Sequence, residues 1–343
     1  MLRKLKEAII AFRDYLLPKF FSKRRFLATV YYMTVSSAFR RECQGVLIGK
    51  VRYYERAKFS FKNYVLVTRN IHRIEKGLLM KPRKAVFAKS FIEETVTNFL
   101  GILEANTVET SQIKWFHDVL REYFKVVTTD KFIVELGEKF HNHPLVLIFE
   151  SGVKKSIPYV DKVQHNVSFE SFQKLNRARR SIRWFNDTPV PRELIEKAIS
   201  VASQAPSACN RQPFYFHIVD DPKKIKEAVD LPMGTKGYGH TIPVLIFVVG
   251  NLDYYIEERD RHLIYIDASL ANMSFMLTLE TLGLSSCPIN WPDIEEREQL
   301  AARFLGLEPY QRPVMCIAVG YSDPEGEIAF SEKKSLEQLV KYN

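Results

Sequence analysis

Cysteine is scarce in this 343-residue chain: Cys43, Cys209, Cys287 and Cys316 are scattered along it, with no C-x-x-C pair. That spacing excludes a zinc ribbon, argues against a disulfide framework and fits a reducing, cytoplasmic compartment. Long apolar runs are also missing. No stretch reaches about 18 consecutive apolar residues, the length of a standard membrane span. The longest uncharged run near the start, residues 26–39, holds Thr29, Thr34, Ser36 and Ser37 and is closed by Arg25 and Arg40. Glu7 and Asp14 interrupt the first apolar stretch, so it does not read as a secretory signal. With 46% hydrophobic and 26% charged residues, neither wholesale disorder nor a collagen-like chain fits.

The length suits two domains better than one. Net charge is +10, but residues 1–100 hold 22 Lys+Arg against 7 Asp+Glu, a local +15, so the rest of the chain carries −5. Such asymmetry predicts two parts with different partners: a basic, mostly helical region over 1–165 and a second domain over 166–343. The basic part could meet nucleic acid, an anionic membrane surface or an acidic protein, or could be a solvated helical surface. It contains no recognised nucleic-acid-reading module, so no nucleic-acid partner is expected.

Within residues 2–17, Leu2, Leu5, Ile9, Phe12 and Leu16 fall at helical spacing, with Arg3, Lys4 and Lys6 on another face and Pro18 expected to end the helix. Such a helix could lie in a membrane interface or pack on its own protein. Residues 51–140 read as mostly helical, including a basic helix from Arg69 that stops at Gly77 before a turn at Pro82. The run from Pro144 to Phe149 suits a strand or a buried helix. After about residue 165 helical patterns alternate with β-branched runs. A helix enters through Pro191 and runs to Ala205. Phe214–Val219, Val244–Val249 and Val314–Val319 read as strands of a sheet covered on both faces. Leu263–Leu282 reads as a long, largely buried helix ended by Gly283.

Two segments carry most of the chemical information. Arg177-Ala178-Arg179-Arg180-Ser181-Ile182-Arg183 packs four arginines and a serine into seven residues. Guanidinium forks suit phosphate oxygens, although such a run also occurs as a solvated turn. Gln204 to Phe214 is a polar helix-to-strand loop with Pro206, Ser207, Asn210, Gln212 and Pro213, able to aim amides and hydroxyls at a heterocycle edge. Other signals are weaker. His141-x-His143 does not make a metal site by itself, and none is expected. His72 and Glu75 share a helix face as a local pair. Cys209 reads as an inert thiol. The three glycines of Met233–Gly239 suggest a mobile lid around Lys236.

Taken together, R-R-S-x-R-x-F, a proline-entered helix and P-S-x-x-N-x-Q-P-F resemble the FMN-dependent nitroreductase family. Residues 267–283, the segment Ser286-Cys287-Pro288-Ile289-Asn290-Trp291, MCIAVGY at Met315–Tyr321 and the pair Lys333-Lys334 continue the resemblance across roughly 172–343. The stretch R-N-x-H-R-x-E-K-G-L at Arg69–Leu78 resembles N-terminal extensions of nitroreductase-like proteins from polysaccharide gene clusters. The resemblance implies an α+β fold, a three-layer α/β/α sandwich with a mostly helical N-terminal region. It implies that Arg179, Arg180, Ser181, Lys333 and Lys334 hold the FMN phosphate and that Arg183 sits by the pyrimidine edge of the isoalloxazine. Pro206, Ser207, Asn210 and Gln212 would come from the second subunit of a homodimer. Pro288, Ile289 and Asn290 would form a loop along the flavin, where many members carry a glycine.

The expected activity is that of an FMN oxidoreductase passing hydride from NADH or NADPH to a small organic acceptor: a nitroaromatic, a quinone or an enone-like compound. No protein side chain is expected as catalytic acid or base, because the flavin carries the chemistry. The competing expectation is a flavin-binding or flavin-idle scaffold, recruited through its basic helices to a membrane or polysaccharide-synthesis complex.

Overall fold

The computed structural model describes residues 2–106, 108–148 and 161–343. The N-terminal part runs α1 (Leu2–Ala11), α2 (Leu17–Phe21), α3 (Arg25–Thr34), α4 (Arg40–Lys58), α5 (Tyr64–Leu79), α6 (Ile92–Ala105), α7 (Thr110–Val126), α8 (Lys131–His141) and the single turn α9 (Pro144–Leu147). The C-terminal part adds α10 (Phe169–Ala178), α11 (Arg192–Ala202), β1 (Phe214–Val219), α12 (Pro222–Ala228), β2 (Val244–Asn251), α13 (Leu263–Thr281), β3 (Ser285–Asn290), α14 (Glu295–Leu305), β4 (Gln311–Gly320) and the short α15 (Leu336–Leu339).

The four strands form one antiparallel sheet in the order β1-β2-β4-β3. Side chains alternate faces along a strand, and β2 shows both faces covered. Leu245, Phe247 and Val249 join one core with Ala228 of α12 and Ala301 and Leu305 of α14. Val244, Ile246 and Val248 join the other with Ile195 and Ala198 of α11 and Ala268, Phe275 and Leu279 of α13. The result is a three-layer α/β/α sandwich, α+β in class because its sheet is antiparallel. The expected sheet is present, with one strand more than was read. Ser285–Asn290 is a strand rather than a loop. Pro288 fits there because β3 is an edge, where a missing N–H costs no ladder bond.

Helices α4–α9 surround a separate core containing Phe99, Phe116, Tyr123 and Phe140. Three local expectations need correction. Pro18 does not end the first helix. The backbone widens into a π-helical turn over Phe12–Leu16, with Leu17 N–H bonded to Phe12 O, and resumes as α2 with the proline in its first turn. An i→i−5 turn just before a proline relieves the clash that the ring would otherwise make with a preceding carbonyl. Helix α5 begins at the Asn63 cap and runs past Gly77 to Leu79. Gly77 makes room for Phe87, whose ring lies 2.4 Å from where a Cβ would stand. The run at 144–149 is neither strand nor buried helix: Pro144–Leu147 is one helical turn with only Val146 buried, and Phe149 lies outside the described residues.

Helix α4 joins the two parts. Arg56 Nη2 lies 3.0 Å from Asp253 Oδ2, and Lys50 Nζ 2.6 Å from Glu258 Oε1. Gly49 sits where a Cβ would meet the Leu252 carbonyl at 2.7 Å. Gly49→Ala gains about 1 kcal/mol of helix propensity but forces α4 away from this backbone. A net loss of about 1–2 kcal/mol is expected by chemical denaturation, given the usual cost of overpacking. An unchanged midpoint would show that the seam yields freely.

Candidate functional site

Helix α10 ends at Arg179, and the chain then runs extended beside the edge of the sheet. Ser181 pairs with Ser286 in an isolated parallel bridge, and Ile182 N–H bonds to Ser286 O at 3.1 Å. This places the arginine segment next to β3, and so next to Pro288, Ile289 and Asn290. Arg180 turns toward the C-terminal tail, where its Nη2 donates to Ala329 O and, at 2.6 Å, to Phe330 O. The tail thereby comes alongside Arg179. Arg177, Arg179, Arg180 and Lys333 line one cleft of about 450 Å³ together with Gln173, Asn176 and a single carboxylate, Glu332. Lys334 is exposed and stands outside that lining. Arg179 Nε is buried with no hydrogen-bond partner.

Further along, Arg183 is exposed, and its carbonyl accepts from Thr241 Oγ1 at 3.3 Å. Burial pushes the Cys287 thiol up, while the Tyr238 hydroxyl at 3.9 Å and the positive charges of Arg183 and Arg179 pull it down. The thiol is therefore kept neutral, and its role is packing. The glycine-containing segment before β2 is anchored rather than a free lid. Thr235 Oγ1 donates to Val229 O at 2.5 Å, Tyr238 is buried, and a Cβ on Gly234 would stand 2.9 Å from Ile289 Cγ2. Lys236 is exposed on this anchored segment. Trp291 turns into the core, donating from Nε1 to Glu298 Oε1 at 3.1 Å.

The loop with Pro206, Ser207, Asn210 and Gln212 is held in a shape that side chains rarely adopt. Cys209, Asn210 and Gln212 have φ of 54°, 54° and 46°. Left-handed residues of this kind persist only when their surroundings over-determine them. Ala208 N–H bonds to Asp267 Oδ2 at 3.0 Å, Gln212 N–H to Ser207 Oγ at 3.2 Å, and Gln212 Nε2 to Asn210 Oδ1 at 3.3 Å. The buried Arg211 donates to Ala208 O at 2.9 Å, pairs with Asp260 at 3.3 Å and lies 4.4 Å from the Tyr255 ring centroid. Arg211 and Asp267 were not singled out from sequence. Asp267 is the lone charge among residues 263–279, and a carboxylate in so apolar a helix signals a partner.

Helix α13 separates the two groups. The loop is attached near its start, at Asp267. The arginine segment lies near its end, where Arg179 offsets the upward push of burial on the Glu280 carboxyl. Thirteen residues at 1.5 Å each are about 20 Å. The loop and the arginine cleft of one chain therefore do not converge. Burial covers only part of α13, contrary to the expectation of a largely buried helix. Ile266, Leu270 and Met273, at i, i+4 and i+7, remain 53%, 46% and 38% exposed.

The weaker signals have local roles. His72 Nδ1 lies 4.0 Å from Glu75, which accepts from Trp115 Nε1 at 2.9 Å. His141 packs edge-on against Phe140 at 5.2 Å.

An arginine-lined cleft beside the edge of an antiparallel α/β/α sandwich characterises the C-terminal half. Its family follows from comparison. The model of the nitroreductase family matches residues 177–235 and 230–321, and the C-terminal half carries a nitroreductase-family domain. Human iodotyrosine deiodinase 1 is 25% identical over 210 residues, covering 53% of this chain and 71% of that protein. Iodotyrosine deiodinase of Nematostella vectensis is 24% identical over 271 residues, covering 69% and 95%. A Streptococcus pyogenes protein, provisionally named an NAD(P)H nitroreductase, is 27% identical over 192 residues, covering 46% and 94%. Among solved structures, an FMN-dependent nitroreductase of Clostridium difficile is 25% identical, with 49% and 97% covered and a TM-score of 0.42.

Proposed function

We propose that this protein is an FMN-dependent oxidoreductase acting as a homodimer with composite sites. The observation that carries the reading is the buried, unpartnered Nε of Arg179 in a cleft that also holds Lys333. An orphaned buried donor in a cleft where four cations outnumber the one carboxylate, Glu332, fits a phosphate oxygen, which would restore the missing hydrogen bond. Arg179, Ser181 and Lys333 would hold the phosphate. Arg180 would act through the tail, whose carbonyls it fixes beside the cleft. Lys334 would supply only longer-range charge.

Bound FMN would supply the redox chemistry, taking hydride from NADH or NADPH and delivering it to a small organic acceptor such as a nitroaromatic, a quinone or an enone-like compound. Arg183 would place positive charge at the pyrimidine edge, where a reduced ring becomes negative. Pro288, Ile289 and Asn290 lie on the edge strand, whose outer side beyond Ser286 has no strand partner among the described residues. A planar ring would lie along that outer edge. Ser207 and Asn210 would reach the same ring from a second copy, since in one chain they lie about 20 Å along α13 from the cleft. The relatives named iodotyrosine deiodinase and NAD(P)H nitroreductase support a small organic substrate and a nicotinamide donor.

Arg179→Ala is expected to weaken FMN binding by about 1.5–3 kcal/mol, the range for a hydrogen bond to a charged group. Quenching of FMN fluorescence on titration with protein measures this, and an unchanged affinity would remove Arg179 from the site.

A further inference from the structure

The first three helices present an apolar surface that none of the described residues covers. Leu5, Ile9, Phe12 and Leu16 recur at helical spacing through α1 and the π-helical turn, and they remain 58%, 58%, 55% and 52% exposed. Phe20 of α2 and Phe26 and Met33 of α3 are exposed as well. The Phe21 and Tyr31 rings, 5.5 Å apart, join α2 to α3, so these residues belong to one small helical unit. Packing on its own protein was the alternative fate of the first helix, and these exposures exclude it for the described side chains. A contiguous apolar surface of this kind marks an interaction site.

Charge identifies the occupant. Residues 1–41 carry ten Lys+Arg and two Asp+Glu, a local +8. One of the acids, Asp14, is already engaged by Arg13 at 2.6 Å. A second copy docked through this face would set +8 against +8. An anionic bilayer offers both apolar depth and the opposite charge. Long basic side chains border the apolar residues: Lys19 Nζ lies 5.0 Å from the Tyr15 ring centroid and bonds its hydroxyl at 3.0 Å, and Lys23 Nζ lies 6.0 Å from the Phe20 ring centroid. Stems that run along apolar surface with the ammonium at its rim suit the boundary between acyl chains and headgroups. Among the described residues no helix is long and apolar enough to cross a membrane.

We infer that α1–α3 form an in-plane docking surface for anionic lipid bilayers. The aromatic and aliphatic side chains from Leu5 to Phe20 enter the acyl boundary, and the surrounding lysines and arginines meet the headgroups. This inference does not depend on the flavin assignment, which uses none of these residues.

The test is sedimentation of the full chain with vesicles of phosphatidylcholine alone or mixed with phosphatidylglycerol, at low and physiological salt. The protein pellets with the anionic vesicles, less so as salt rises, and stays in solution with phosphatidylcholine alone. Each basic residue near such a surface contributes about a five-fold factor, so Lys19→Ala/Lys23→Ala binds about 25-fold more weakly. Ile9→Glu/Phe12→Glu abolishes pelleting, while both variants keep the wild-type melting temperature because the altered side chains are exposed. Three results overturn the inference. One is a wild-type protein that stays in the supernatant with every vesicle. Another is an Ile9→Glu/Phe12→Glu variant that pellets like wild type, which would make the attraction purely ionic. The third is a mass that halves in that variant by light scattering, which would assign the face to a second copy.

Discussion

Arg312→Met is expected to destabilise the C-terminal half by about 3–5 kcal/mol, the usual cost of stripping one partner from a buried ion pair. Arg312 lies on β4, almost fully buried, with Nη2 2.8 Å from Glu298 Oε1 and 2.6 Å from Asp293 Oδ1. Glu298 on α14 is equally buried, and Trp291 Nε1 donates to the same oxygen at 3.1 Å. Methionine fills a similar volume but leaves the carboxylate with only the indole as donor. A drop in melting temperature of roughly 6–20 °C follows from that cost. Glu298→Gln in the Arg312→Met background removes the stranded charge and should recover much of the loss, because the two residues are directly coupled. A double variant no more stable than Arg312→Met alone would show that the loss comes from packing rather than charge. The network holds α14 against the sheet beside the end of β3, so flavin affinity should fall with stability in the single variant and return in the double.

Leu270→Glu is expected to turn the protein into a monomer that no longer retains FMN. Leu270 lies in the middle of the exposed apolar stripe of α13, between Ile266 and Met273. In a single chain a glutamate there faces water and costs little. In a dimer built on this stripe, both copies bury a carboxylate without a partner, at a combined cost of several kcal/mol, on the order of 10³-fold or more in the association constant. Loss of the dimer takes away the loop carrying Ser207 and Asn210, and with it half of each proposed site. Sedimentation velocity with detection at the flavin absorbance reads both effects together. A Leu270→Glu protein that remains dimeric would move the interface elsewhere. A monomer that keeps wild-type FMN affinity would dissolve the composite site and leave the arginine cleft sufficient alone.

The sandwich was legible because its central strand β2 is buried on both faces and its neighbours β1 and β4 are largely apolar. Nearly continuous apolar runs at Phe214–Val219 and Val244–Val249 coincide with β1 and most of β2, and the run at Val314–Val319 falls within β4. The edge strand β3 was read as a loop because Pro288, Ser286 and Asn290 break that pattern, and only its edge position makes them compatible with a strand. Helix α13 was legible in extent and misjudged in burial. A helix apolar on all sides does not reveal which stripe meets its own core and which is left for another chain. Arg179, Ser181 and Arg183 could be singled out because R-R-S-x-R-x-F, with the motifs that follow it, resembles the nitroreductase family; four arginines in seven residues alone also suit a solvated turn. Asp267 and Arg211, which hold the Pro206–Gln212 loop in its left-handed shape, were not singled out. Their partners lie 59 residues away at Ala208 and 49 residues away at Asp260, and such pairings depend on tertiary structure. The π-helical turn before Pro18 shows the same limit on a smaller scale: proline predicts a break, but a widened turn offers another solution.

The most direct measurement is the visible flavin absorbance of the full-length protein, reconstituted with FMN, freed of unbound cofactor and titrated anaerobically with NADH or NADPH. The account predicts about one FMN retained per chain, bleached by at least one of the two nicotinamides and restored by a small organic acceptor such as a quinone. A protein that retains no FMN, or whose bound FMN stays oxidised in the presence of both nicotinamides, would contradict it.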